Sequence, residues 1–331
     1  MLKEAMLYTG GEKCKCNVCA HKCLIAEGNV GVCGTRKNIG GKLHTLIYGS
    51  VSSVHADPVE KKPLYHFHPG SFVLSLGTVS CNFRCKHCQN WSISAFKPGE
   101  VPTTEMTPEE VISQARATHC EGIAFTYNEP TIWFEFTYDT FKAAKRSGLY
   151  TVYVTNGYMS EEALNEISPF LDAANVDVKA FSEDFYRKIC NAKLRPVLDT
   201  CERMHEKGIH LEVTYLIIPK YNDSDEELRA FARWLVALDA ETPVHFSRFY
   251  PTHLLTEVPP TPVSTLERAA SIAKEEGLEF VYLGNVPGHE YENTYCPDCG
   301  ELLVKRTGYY VKLRIKKPIC SKCGRKINIK F

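Results

Sequence analysis

Three cysteines fall within one short stretch, Cys81-Asn82-Phe83-Arg84-Cys85-Lys86-His87-Cys88. Three thiolates on a single loop can bind three irons of a cubane cluster and leave the fourth iron open. An open metal position is what catalysis requires, whereas a structural site is closed. The bland reading is a partial zinc site. It needs a fourth ligand, and none is adjacent, although His66 or His68 could be brought near.

Two further cysteine groups flank this loop. Cys296-Pro297-Asp298-Cys299-Gly300 and Cys320-Ser321-Lys322-Cys323-Gly324 form two knuckles with 20 residues between them. That is zinc-ribbon spacing, and a rubredoxin-like iron site is the second choice. Cys16, Cys19, Cys23 and Cys33 form the other group, with Cys14 extra and His21 among them. Their spacing is not that of the bacterial ferredoxin run. Structural zinc is the first choice there and an auxiliary iron–sulfur cluster the second. Cys120, Cys190 and Cys201 stand alone in helix-like contexts and read as small core residues.

The 331 residues include 15 cysteines and 39 residues of each charge sign. The N-terminus lacks the basic stretch and apolar core of a signal peptide, and no apolar run is long enough for a membrane span. A cytoplasmic protein is expected, so the cysteines point to metal ligation rather than disulfides. The zero net charge is a sum of unlike parts: +4 over 1–49, −11 over 50–290 and +7 over 291–331. These shifts suggest a Cys-rich metal-binding segment at 1–49, a catalytic body at 50–290 and a ribbon at 291–331. The basic C-terminal residues read as a solvated face or a patch for an acidic protein, rather than a nucleic-acid surface.

The body must position the loop, and it alternates strands with helices. Strands are expected at 71–76, 123–126, 150–155, 174–178, 211–218, 244–247 and 280–283. Helices are expected at 108–118 with Thr107 as N-cap, 133–147 stopped by Gly148, 160–171, 183–189, 196–207, 224–238 and 264–276. Such an array makes a parallel βα fold, best read as a partial (β/α)6-type barrel. A doubly wound sheet is the alternative, weakened because no Gly-x-Gly-x-x-Gly follows the first strand. The three-cysteine loop directly follows that first strand, where barrel active sites are built.

The loop's Cys-x3-Cys-x2-Cys spacing resembles that of the radical S-adenosylmethionine (SAM) superfamily. Other segments resemble that superfamily and its glycyl-radical activating enzymes. Tyr127-Asn128-Glu129-Pro130 is similar to their Gly-Gly-Glu-Pro, with Tyr127 and Asn128 in place of the glycines. Thr155-Asn156-Gly157 resembles their Thr-Asn-Gly, and Asp177-Val178-Lys179 their Asp-x-Lys. The run Leu216-Ile217-Ile218-Pro219 with Asn222-Asp223 is similar as well. A narrower resemblance is to the AmmeMemoRadiSam-system radical SAM enzymes. It rests on Tyr65-His66-Phe67-His68-Pro69-Gly70, Cys88-Gln89-Asn90-Trp91, Phe125 to Pro130, His245 to Pro251 with Arg248, and the N-terminal cysteines with Arg36.

The resemblance implies a [4Fe–4S] cluster on Cys81, Cys85 and Cys88, with SAM chelating the open iron and being cleaved to a 5′-deoxyadenosyl radical. It implies Glu129 and Asn128 at the SAM amino group, Thr155 and Asn156 near the ribose, Lys179 with Asp177 at the carboxylate, His87 against the adenine, and Arg248 among the cofactor-binding residues. Ser80 stands where the family commonly has glycine. An electron donor of flavodoxin or ferredoxin type is implied, and a protein substrate is one concrete form of the reaction. Modification of a small molecule or nucleotide is an alternative. A zinc or iron–sulfur scaffold and a plain electron carrier are non-catalytic alternatives, and a carrier has no need of Glu129 or Lys179.

Overall fold

Short runs rich in Val, Ile, Leu and Ala build the centre of the protein. A computed structural model describes residues 1–331. Its main sheet orders Ser53–Pro58 (β1), Phe72–Gly77 (β2), Gly122–Phe125 (β3), Tyr150–Thr155 (β4), Ala173–Asp177 (β5), His210–Ile217 (β6), Val244–Arg248 (β7) and Val281–Gly284 (β8) side by side. Strands β2 to β8 are parallel, in registers such as Ala124↔Ser75, Val176↔Val213 and Val244↔Val281. Strands buried on both faces read as continuous apolar runs, as in β3 and β4. The two ends of the sheet, β1 and β8, do not pair, so the barrel is partial, as expected.

Six helices make the crossovers: Pro108–Ala117 (α1), Phe134–Arg146 (α2), Glu161–Ile167 (α3), Arg195–Glu206 (α4), Asp225–Asp239 (α5) and Val263–Glu275 (α6). Thr107 caps α1 in a full capping box with Glu110, and Ser160 and Ser224 cap α3 and α5. Helix α3 stops at Ile167, short of the expected 171, and Ser168–Phe170 forms a 3₁₀ turn. Pro169 supplies no N–H for an α-helical bond there. The expected helix at 183–189 is one α-turn followed by a π-turn over Tyr186–Cys190. Its carbonyls at Cys190 and Ile189 accept from the amides of Arg84 and Lys86 on the three-cysteine loop.

Several elements have no counterpart in the sequence reading. Strand β1 runs antiparallel to β2 at the sheet edge. Residues 1–49 form two small antiparallel sheets, one joining Lys3–Glu4, Lys42–Thr45 and Arg36–Ile39, the other joining Tyr8–Thr9, Lys13–Cys16 and Leu24–Ala26. They dock on the barrel through a buried bidentate pair, in which Arg36 donates to both Glu135 oxygens at 2.8 and 2.7 Å. A bridge between Cys19 and Met159 continues the contact over the loop that follows β4.

The C-terminal residues pair Thr294–Tyr295, Leu302–Thr307 and Tyr310–Leu313 in a third small sheet. The motif Tyr65 to Gly70 is its seat. Buried Arg306 donates to the Tyr65 carbonyl at 2.7 Å, and the Lys330 amide donates to the His66 carbonyl. Beneath, both oxygens of buried Glu212 are taken up by the amides of Tyr65 and His66 and by His210 and His245. These motif residues therefore lie at the starts of β6 and β7, away from the loop ends that carry the cysteines.

Candidate active site

The turn after β2 is unusual. Ser80 has φ +74°, a left-handed conformation that favours glycine. Three bonds hold it there: its amide donates to Ile93, its carbonyl accepts from Asn128 Nδ2 at 2.7 Å, and its hydroxyl donates to the Cys33 carbonyl at 2.6 Å. Tyr127, another residue in a glycine position, has φ +71°, and its hydroxyl donates to Asp57 at 2.7 Å. Both sites thus keep the backbone that glycine would adopt and use the added side chain as a tether.

Cys81, Cys85 and Cys88 line one cavity of about 530 Å³ at the C-terminal ends of the strands. His87, Asn128, Glu129, Asn156, Asp177 and Lys179 share its wall. The loops that follow β2, β3, β4 and β5 therefore meet at a single place, in chain order. Thr155 does not line the cavity but binds Glu129 Oε1 through its hydroxyl at 2.7 Å. Arg248 is not brought in. Its guanidinium donates to the Thr261 carbonyl at 2.8 Å and to the Tyr250 hydroxyl at 3.1 Å.

Glu129 is fully buried. Oε1 accepts from the amide and hydroxyl of Thr131 and from Thr155, and Oε2 accepts from the Asn156 amide at 2.8 Å. Burial pushes this carboxyl up, against the pull of those four donors. Asn156 has both polar ends committed: Oδ1 accepts from the Tyr158 amide, and Nδ2 donates to Asn82 Oδ1 at 2.8 Å and reaches Cys81 Sγ at 3.8 Å. Asn128 is likewise tied, to Thr78 and Ser80. Lys179 Nζ meets Asp177 Oδ2 at 2.8 Å. Burial disfavours its charge, but Asp177 beside it raises it overall, so it stays an ammonium.

The surroundings of the three thiols favour their protonated form. Burial pushes Cys81 and Cys88 up, and Cys85 is raised first by its hydrogen bond with Cys190 and then by burial. Metal binding here must release those protons. Cys190 is buried, as a core residue should be, yet its ligand atom lies within 4.8 Å of those of Cys85 and His87. His87 Nδ1 is buried without a partner, and burial pushes the ring down to about 3, so it presents a neutral face.

Sequence reasoning missed Lys62, Asp57 and Asn82. Lys62 lines the cavity and pairs with Asp57 at 2.7 Å. Burial lowers Lys62 to about 8 against the pull of Asp57. Asn82 lies between two cysteines of the loop, which was its only signal, and its Nδ2 is buried without a partner. At the C-terminus, Cys296 and Cys323 sulfurs are 3.5 Å apart and those of Cys299 and Cys320 3.6 Å, all four within 4.8 Å of one another. Four thiolates about 2.3 Å from one ion sit roughly 3.8 Å apart, so this set can hold a single metal ion.

A family profile described as the Radical SAM superfamily matches residues 76–235, which span all of the cavity's β2 to β5 loops. The chain belongs to the radical SAM superfamily. A radical SAM protein of this kind implies a [4Fe–4S] cluster and SAM, and the three cavity cysteines fit the cluster. The chain is 49% identical to uncharacterized protein MJ0808 of Methanocaldococcus jannaschii over 334 residues, 99% of each chain. It is 23% identical to pyruvate formate-lyase 1-activating enzyme of Escherichia coli K12 over 150 residues, 44% of this chain and 61% of that one. In fold, this radical SAM chain is similar to the crystal structure of a radical SAM methyltransferase from Sphaerobacter thermophilus. The TM-score is 0.50 at 16% identity, covering 70% of each chain.

Proposed function

We propose that the protein reductively cleaves SAM at a cluster held by Cys81, Cys85 and Cys88, and that the radical abstracts hydrogen from a protein substrate. The observation that carries this reading is the shared wall of the cavity, where the three cysteines meet Glu129, Asn156, Asp177 and Lys179. Cys81, Cys85 and Cys88 would hold a [4Fe–4S] cluster, which when bound would supply the one electron that reductive cleavage of SAM needs.

The chain's own residues bind and orient. Lys179 keeps a charged ammonium at the cavity wall for the SAM carboxylate, where an unpaired buried anion would be costly. Glu129 Oε2, with one donor already in place, has room to accept from the SAM ammonium. Asn156 and Asn128 act by fixing the cysteine loop, since their amides are bound to Asn82 and to Ser80 and Thr78. Neutral His87 offers a flat face to adenine.

A protein substrate is supported by the likeness to an activating enzyme, and by a cavity edge reached by Tyr309 of the C-terminal hairpin and by Asn285. We read 1–49, 50–290 and 291–331 as three units, with zinc in the last. The AmmeMemoRadiSam-type motifs fit the narrower family. No helix is long and apolar enough to cross a membrane, and a cytoplasmic setting suits 15 free cysteines. The test is anaerobic incubation of the reduced protein with SAM, followed by quantification of 5′-deoxyadenosine. Absence of product from cluster-loaded protein overturns the reading.

A further inference from the structure

We propose that Cys16, Cys19, Cys23 and Cys33 hold a second iron–sulfur cluster, a [4Fe–4S] centre with four protein thiolates, set directly against the three-cysteine loop.

All four residues line one small, largely apolar cavity, together with His21 and Arg36. Cys14 is excluded from it, because its thiol points at the carbonyls of Gly41 and Gly11, at 3.2 and 3.8 Å. The ligand set is therefore four, with the fifth cysteine accounted for.

Size separates the two metals. The C-terminal cysteines draw together as one ion requires, with all four sulfurs within 4.8 Å of one another. No three of the N-terminal sulfurs converge that closely. Four sulfurs at about 2.3 Å from a common zinc sit roughly 3.8 Å apart, closer than any three of these do. A cubane spreads its irons over a cage and needs the wider arrangement. Cys81, Cys85 and Cys88 likewise share a cavity without all three drawing within 4.8 Å of one another.

The surroundings suit an anionic cluster. The buried guanidinium of Arg36 lies beside Cys16 and Cys33 and is fixed by Glu135.

A cluster with four thiolates has no open iron, so its chemistry is one-electron transfer. Its neighbour is the catalytic loop. Ser80 donates to Cys33, His21 Nε2 donates to the Asn82 carbonyl at 2.8 Å, and Arg84 donates to the Val32 carbonyl at 2.9 Å. An electron from a low-potential one-electron donor protein enters here and passes to the loop cluster, with no bond made or broken. This relay role rests on the radical SAM reading above, whereas the cluster itself does not.

The decisive experiment uses the full chain carrying Cys81→Ala, Cys85→Ala and Cys88→Ala, reconstituted anaerobically with iron and sulfide. Residues 1–49 are untouched in it. We expect about four irons and four acid-labile sulfides per chain, and a reduced-state EPR signal that SAM does not alter. The wild type should hold about twice that iron, and Cys16→Ser with Cys33→Ser should return it to half while keeping a SAM-responsive signal. A loop variant with no acid-labile sulfide, or with a second zinc in its place, overturns the proposal. Wild-type protein that holds both clusters yet makes no 5′-deoxyadenosine would instead sink the activity and leave this site standing.

Discussion

The hydroxyl of Ser80 donates to the carbonyl of Cys33 across 2.6 Å, joining the residue before the catalytic loop to a cysteine 47 positions upstream. Ser80 holds a left-handed backbone for which glycine is the easy choice, so serine is strained there unless its side chain contributes. Ser80→Ala keeps the strain and leaves a buried carbonyl without its donor, and should cost about 1–3 kcal/mol in urea unfolding. Ser80→Gly loses the bond but relieves the strain, and should be about 1 kcal/mol more stable than the alanine variant. Equal stabilities would show that the backbone there is unstrained.

Lys179→Met should weaken SAM binding by about 2–3 kcal/mol, roughly 30- to 150-fold in Kd, because a charge-assisted contact to the carboxylate is lost and Asp177 is left without its partner. Equilibrium dialysis with cluster-loaded protein measures this. Unchanged affinity would place the SAM carboxylate elsewhere.

His66 sets a pH response. Nδ1–H donates to the Asn328 carbonyl at 2.9 Å and Nε2 accepts from the Tyr282 hydroxyl at 2.6 Å, so the ring is neutral. Burial lowers it from 6.5 to about 3, which means the unfolded chain takes up a proton that the folded chain refuses. Its contribution is complete above pH 6.5 and declines by about 1.4 kcal/mol per unit as pH falls towards 3. His66→Gln should be less stable than wild type at pH 7.5, and the gap should narrow as pH drops from 6.5 to 4.5. Tm measured across that range checks it, and a constant gap would contradict it.

Replacing Cys320 and Cys323 with serine should remove one bound metal ion per chain and release residues 294–331 to proteolysis, since so small a unit depends on its metal. Metal analysis and limited trypsin digestion read the two effects. Retention of the ion with intact resistance would show that these sulfurs do not hold it.

Much of this was legible in the sequence, for identifiable reasons. Parallel strands buried on both faces, and caps such as Thr107 with Glu110, leave local signals that survive folding. Cys81, Cys85 and Cys88 were legible because three ligands must share one loop. Strand β1 was not, because Ser53-Val54-His55-Ala56-Asp57-Pro58 is an edge strand with one partner and no apolar run. Lys62 was not, because only tertiary contact with Asp57 and Tyr127 turns a basic run inward. The motif Tyr65 to Gly70 carries part of the narrower family resemblance, and it serves as the seat of the C-terminal sheet. Spacing along the chain carries no information about which face a loop turns to.

The central claim is that the three-cysteine cavity cleaves SAM. The most direct measurement is 5′-deoxyadenosine formed by anaerobically reconstituted, dithionite-reduced protein, beside the Cys85→Ala variant. The account predicts product from the wild type and none from the variant. A wild type that holds its cluster and forms no 5′-deoxyadenosine, or a variant that forms as much, would contradict it.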